Sequence, residues 1–207
     1  MPLVDRYKLF IFDWDGTLST STPLVRIARF SRRRYNIQNI ERKSSSYTVD
    51  TLVKLREEEE ASRFYDFVYT IYSKFYTPWL KDGVLDLFKA LRKKGKKIAI
   101  FSDSNRYRLF IEARKLGILD KVDFVLSADS IKRYKPNPTG LMAIADKFGM
   151  RKRDCLYIGD MVVDIYTARF AGIDSCAVTD GIDPYDLLKS VNPKYISKNL
   201  LSIKNMK

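Results

Sequence analysis

The sequence predicts an α/β protein: a doubly wound parallel sheet with a small helical domain inserted after its first strand. Three observations lead there. Five short apolar runs each end in polar residues, at 7–13, 97–103, 123–127, 155–160 and 175–179. Helix-like stretches lie between the later runs, at 84–94, 106–116, 139–148 and 162–171. Residues 14–96, far more than one helix requires, separate the first run from the second.

Taken in order, the first run is continuously apolar from Leu9 up to Asp13, as a strand buried on both faces would be. Residues 19–76 then carry amphipathic helical patterns at 24–35, 48–59 and 61–76 and no convincing strand, with hinge-like ends near 19–23 and 77–83. In the stretch 84–94, Val84, Leu85, Leu87, Phe88 and Leu91 follow the helical period. Gly95, Gly117, Gly149 and Gly172 each sit where such a helix would stop. Apolar strands alternating with helices argue for a parallel sheet covered on both faces. No internal repeat or low-complexity linker interrupts the pattern.

Composition narrows the chemistry. A length of 207 residues is enough for one core plus a small module. Hydrophobic residues at 45% against charged residues at 30% describe a globular chain, not a disordered one. No apolar run approaches the roughly 20 residues of a membrane span. The start, Met1 to Phe10, mixes Asp5, Arg6 and Lys8 into a short apolar stretch, unlike a secretory signal. The expectation is a soluble, cytoplasmic protein, monomer or homodimer, with no membrane partner. Cys155 and Cys176 lie in or beside apolar runs without a CxxC pattern, which reads as buried thiols and not as a disulfide or metal site. Histidine is absent, so a Ser-His-Asp triad, an HExxH zinc site and an imidazole base are excluded. Catalysis must rest on carboxylates, lysine, hydroxyls, thiol or a hard metal ion. The net charge of +13 raises the question of nucleic acid. Its basic clusters, at 26–34, 89–97 and 189–207, are on separate segments without an aromatic, glycine-rich RNA-binding signature, so they read first as solvated faces. A nucleic-acid partner stays as the alternative.

In open α/β sheets, ligands bind beyond the carboxyl ends of the strands. The residues following each apolar run are therefore the candidate site. The first run supplies Asp13, Asp15, Gly16 and Thr17; the second, Ser102, Asp103, Ser104 and Asn105; the fourth, Gly159 and Asp160, with Asp164 a turn further on. Lys135, before Pro136, follows the third. Clustered carboxylates repel one another, and a hard cation is the natural compensation. Mg²⁺ suits oxygen donors, whereas zinc would want imidazole or thiolate. A metal-bound carboxylate, a lysine and a hydroxyl together suit a phosphoryl group, whose transfer depends on in-line positioning and charge neutralisation.

Asp13-Trp14-Asp15-Gly16-Thr17, Ser102 after a hydrophobic strand, Lys135-Pro136 and Gly159-Asp160 with Asp164 resemble, in order, the four motifs of the haloacid dehalogenase superfamily. The resemblance covers the whole chain. It implies a Rossmann-like core of residues 1–18 and 80–207 with a helical cap at 19–79. It also implies roles. Asp13 would be the nucleophile, giving an aspartyl-phosphate. Asp15 would be the general acid and then the base. Thr17, Ser102, Asp103, Asn105 and Lys135 would be the phosphate or substrate contacts, with Lys135 pairing with Asp13. Asp13, Asp160 and the backbone carbonyl of Asp15 would ligate Mg²⁺, and Asp164 would orient metal-bound water. Bland readings stand beside these: Asp15 and Thr17 as cap or turn residues, Ser102 as a strand-end turn, Lys135 and Asp164 as surface charges, and Asn105 as a helix cap.

An acid at position 15 separates phosphatases from dehalogenases and phosphonate hydrolases of the superfamily, and the missing histidine argues against its sugar phosphomutases. Residues 79–179, with their Lys135-Pro136-Asn137-Pro138 turn, look most like the phosphoglycolate phosphatase branch. A small phosphorylated metabolite is the expected substrate. Within the cap, Arg26, Arg29 and Arg33 share a helical stripe that could grip an anion or face solvent. Tyr65, Tyr69, Tyr72 and Tyr76 form a stripe that reads as packing before stacking.

Overall fold

A computed structural model describes residues 2–20, 71 and 75–206. The inserted domain expected at 19–79 lies almost wholly outside them, and so do Arg26, Arg29, Arg33, Tyr65, Tyr69 and Tyr72. Among the described residues, six strands form one parallel sheet: β1 (Leu9–Phe12), β2 (Lys97–Ser102), β3 (Phe124–Ser127), β4 (Cys155–Gly159), β5 (Asp174–Val178) and β6 (Tyr195–Ser197). The described helices are α1 (Leu3–Arg6), α2 (Val84–Lys93), α3 (Arg106–Lys115), α4 (Ala128–Ile131), α5 (Thr139–Lys147), α6 (Val162–Ala171), α7 (Tyr185–Ser190) and α8 (Leu200–Ile203).

The strand order is β3-β2-β1-β4-β5-β6, every neighbouring pair parallel. Successive side chains of a strand point to opposite faces, and the core divides accordingly. Phe10, Phe12, Ile98, Ile100, Leu156 and Ile158 pack on one face with Leu87, Phe88 and Leu91 of α2 and Leu109 and Ala113 of α3. Leu9, Ile11, Ala99, Phe101, Cys155 and Tyr157 pack on the other with Leu141 and Ile144 of α5 and Ala168 and Ala171 of α6. Each fully buried Leu, Ile or Phe side chain among them contributes about 1.5–3 kcal/mol of burial. This two-sided burial is why the strands read as continuous apolar runs. Gly140 of α5 lets that helix approach the sheet, since a Cβ there would lie 2.2 Å from the Phe101 ring.

The four expected helices form, and Gly95, Gly117, Gly149 and Gly172 follow them with φ of 66°, 64°, 61° and 69°. Where the chain leaves and re-enters the core, the two connecting segments run side by side. Thr20 N–H donates to the Trp79 carbonyl at 2.8 Å and Lys81 N–H to that of Leu18 at 2.9 Å. Within the basic segment 189–207, β6 and α8 are ordered parts of the core, with Leu200 and Ile203 buried. A three-residue strand and a one-turn helix are too short to show a period in sequence.

β1 sits between β2 and β4 at the point where the strand order reverses. The chain leaves β1 toward the face that carries α2 and leaves β4 toward the face that carries α6. A crevice therefore opens at the carboxyl ends of β1 and β4. Their register pairs Phe12 with Ile158, and Asp13 N–H extends the ladder to the Ile158 carbonyl at 2.9 Å. The next residues out from that level are the predicted carboxylates.

Candidate active site

Asp13, Asp160 and Asp164 offer carboxylate oxygens that all lie within 4.8 Å of one another, and all three residues are buried. Lys135 closes the group. Its Nζ donates to Asp13 Oδ1 at 2.6 Å and to Asp164 Oδ1 at 2.7 Å, and it lies 5.6 Å and 5.4 Å from the centroids of Phe101 and Tyr157. Burial works against the ammonium charge, but Asp13, Asp164 and Asp103 outweigh it and hold the lysine pKa above its ordinary value. The lysine is brought in from the loop after α4, where its backbone N–H donates to Asp103 Oδ1 at 3.0 Å.

Each carboxylate is set by its own element. Asp164 occupies the first turn of α6. Its Oδ2 accepts the Met161 N–H at 3.0 Å and its Oδ1 accepts the Tyr157 hydroxyl at 3.0 Å. Burial, then the charge of Asp164, push the Tyr157 phenol far above its ordinary pKa, so it stays a donor. Asp160 accepts the Thr17 hydroxyl on Oδ1 at 2.7 Å and the Ile182 N–H on Oδ2 at 2.8 Å. Two glycines make room for it. At Gly16, where φ is 86°, a Cβ would lie 2.3 Å from Asp160 Oδ2, and at Gly181 it would lie 2.2 Å from Asp160 Cβ.

Asp15 turns to a different set of partners. Its Oδ2 accepts the Ser104 hydroxyl at 2.7 Å and Arg108 Nη1 at 3.2 Å, and its Oδ1 accepts Arg108 Nη2. Ser102 ends β2 at the same sheet edge, and its Oγ accepts the Ser104 N–H at 3.1 Å.

The structure thus gathers Asp13, Lys135, Asp160 and Asp164 directly, with Thr17 behind Asp160. Asp103 spends its Oδ1 on the Lys135 backbone N–H, a structural contact that fixes the lysine's loop. Asn105 caps α3, its Oδ1 accepting the Tyr107 N–H at 2.9 Å, which is the structural role left open for it. Several residues were missed from sequence: Tyr157, Gly181, Asp183, Arg108 and Glu112. Asp183 Oδ2 accepts the Val162 N–H at 2.8 Å at the start of α6. Tyr157 looks like any strand aromatic. The Arg108–Glu112 pair had a signal, an i,i+4 ion pair beside the apolar stripe of Leu109 and Ala113, but such pairs usually face water.

The donor set fits a hard divalent cation. It consists of buried carboxylates with no imidazole or thiolate among them, and their mutual repulsion calls for positive charge beyond what one lysine supplies.

Comparison with known proteins agrees with this geometry. The family model for haloacid dehalogenase-like hydrolases matches residues 10–178. Pyrophosphatase PpaX of Halalkalibacterium halodurans is 24% identical over 92% of this chain and 92% of its own length. Phosphoglycolate phosphatase of Neisseria meningitidis is 27% identical over 97% of this chain and 93% of its own. The crystal structure of a haloacid dehalogenase-like hydrolase of Bacteroides fragilis superposes with a TM-score of 0.70 at 25% identity, covering 94% of this chain and 98% of that one. With the family match spanning both β1 and β5, and the carboxylates and lysine of its motifs meeting at one sheet edge, the chain belongs to the haloacid dehalogenase-like hydrolase family and is an enzyme built as its phosphatases are.

Proposed function

We propose that the chain is a Mg²⁺-dependent phosphatase that hydrolyses a small phosphomonoester through an aspartyl-phosphate on Asp13. The observation that carries this is the contact of Asp13 Oδ1 with Lys135 Nζ inside a cluster of three buried carboxylates. Lys135 offsets the repulsion between the Asp13 carboxylate and an incoming phosphate dianion. With Oδ1 held by the lysine, Oδ2 is the oxygen we assign to the attack on phosphorus, with the ester oxygen leaving opposite it. Asp15 gives that oxygen its proton. In the second half, Asp15 takes a proton from water as the water oxygen attacks phosphorus, and the bond to Asp13 Oδ2 breaks to release phosphate. Ser102 and neighbouring backbone N–H groups would hold phosphoryl oxygens. Asp13, Asp160 and the Asp15 carbonyl would hold Mg²⁺, with Asp164 and its donors orienting that sphere. When bound, the ion neutralises charge on the nucleophile and on the phosphoryl group.

Both similar proteins, phosphoglycolate phosphatase and pyrophosphatase PpaX, carry names for small phosphorylated substrates, which supports that substrate class here. The test is hydrolysis of p-nitrophenyl phosphate, phosphoglycolate and pyrophosphate with Mg²⁺ and with excess EDTA. Activity on at least one with Mg²⁺, none with EDTA, and a phosphoryl mass on the Asp13 peptide after acid quench are the expected results. Equal turnover in EDTA would overturn the metal requirement.

The glycine cradle gives a second expected result. Gly181→Ala forces Asp160 aside by its Cβ alone, without the positive φ that complicates Gly16. The Mg²⁺ concentration for half-maximal activity should rise about 10- to 100-fold. An unchanged Mg²⁺ titration would remove Asp160 from the metal set.

A further inference from the structure

Arg108 looks at first like an arginine that grips substrate phosphate, since it stands one hydrogen bond from Asp15. Its donors say otherwise. A guanidinium has five N–H groups in a fixed fork, and among the described residues that of Arg108 makes five contacts. Nε reaches Glu112 Oε1 at 2.9 Å. Nη1 reaches Asp15 Oδ2 at 3.2 Å and Ser104 Oγ at 2.9 Å. Nη2 reaches Asp15 Oδ1, and Glu112 Oε2 at 3.2 Å. The residue is only 6% exposed. Glu112 is fixed in turn by the Trp14 indole, whose Nε1 donates to Oε2 at 2.7 Å. Trp14 lies between Asp13 and Asp15, so the network starts and ends on the catalytic loop.

Buried ion networks of this kind are weak contributors to stability, because desolvation offsets their Coulombic gain and apolar replacements are often as stable. Geometry is what this one supplies. A fork across both oxygens of Asp15 fixes the rotation of that carboxylate in a way that a single donor cannot. The proton transfers assigned to Asp15 need an aim held within a fraction of an ångström.

Resting on the phosphatase reading above, we infer that Arg108, backed by Glu112 and Trp14, is a positioning residue that aims the Asp15 carboxylate at the reacting oxygens and does not itself touch substrate. The residue acts through Asp15, so its effect must vanish when Asp15 can no longer exchange protons.

The test is a double-mutant cycle on p-nitrophenyl phosphate with Mg²⁺, using Arg108→Lys and Asp15→Asn singly and together. Arg108→Lys keeps the buried positive charge and loses only the fork. It should lower kcat by about 10- to 100-fold with KM changed less than about threefold. In the Asp15→Asn background the same substitution should change kcat less than about threefold. Glu112→Gln, close to isosteric, should show the same dependence on Asp15 with a smaller loss, and it carries the test if Arg108→Lys fails to fold. Equal losses in both backgrounds would overturn the inference and make the network purely structural. A raised KM with unchanged kcat would overturn it in favour of substrate contact. If Asp15→Asn itself loses no activity, the acid–base role of Asp15 in the phosphatase reading fails instead.

Discussion

Asp13→Asn should fold as the wild type does and hydrolyse p-nitrophenyl phosphate at least about a thousandfold more slowly. The substitution is nearly isosteric at a site that is 1% exposed, so packing around the Phe12 end of β1 is kept. What it removes is the nucleophilic oxygen, because an amide oxygen neither attacks phosphorus effectively nor carries the charge that draws Lys135 and a cation. Lys135 keeps its 2.7 Å contact with Asp164 Oδ1, so the lysine is not stranded. Thermal stability without metal should be near or above that of wild type, since one of three mutually repelling carboxylates is gone. Circular dichroism melting and steady-state rates measure both halves. A variant that retains a tenth of the wild-type rate would sink the nucleophile assignment.

Lys135→Met should damage stability and rate together, in proportions that depend on Mg²⁺. Without metal, the variant leaves Asp13 and Asp164 buried without their ammonium partner, a loss of about 3–5 kcal/mol. Added Mg²⁺ would supply replacement charge to the same cluster of carboxylates, so the difference in Tm between variant and wild type should narrow as Mg²⁺ is titrated in. Turnover at saturating Mg²⁺ should still fall by about 10²–10³, because the cation does not replace the donor on Asp13 Oδ1. The pH dependence has a definite sign. The lysine pKa is raised in the folded protein, opposed by burial and driven by Asp13 and its neighbours. Its stabilisation is therefore fully present below the ordinary lysine pKa of about 10.4 and is lost only as pH climbs through the higher folded value. A gap in Tm that does not respond to Mg²⁺ would show that lysine and metal do not share the same carboxylates.

Much of this protein can be read in one dimension. The five runs became β1 to β5 because their residues are buried on both faces, which leaves an uninterrupted apolar signature. The four helices could be bounded because each ends at a glycine of positive φ. Asp13, Asp160 and Lys135 could be named because strand ends in such a sheet feed one rim, and the missing histidine had already removed most rival chemistries. The sequence by itself thus determined fold class, the rim and the chemical kind of its residues.

Partnership was decided only by the tertiary structure. Whether Asp15 pairs with Lys135 or with Arg108 depends on where α3 packs against the loop after β1, a contact across 93 positions of chain. That Tyr157 belongs to the site follows from which face of β4 it occupies opposite Phe101, and that Gly181 makes room for Asp160 follows from a turn after β5. The physical reason is common to these cases. Local propensity and apolar period record which side of an element is buried, whereas hydrogen bonds between distant side chains depend on the relative placement of whole elements, which no local pattern encodes.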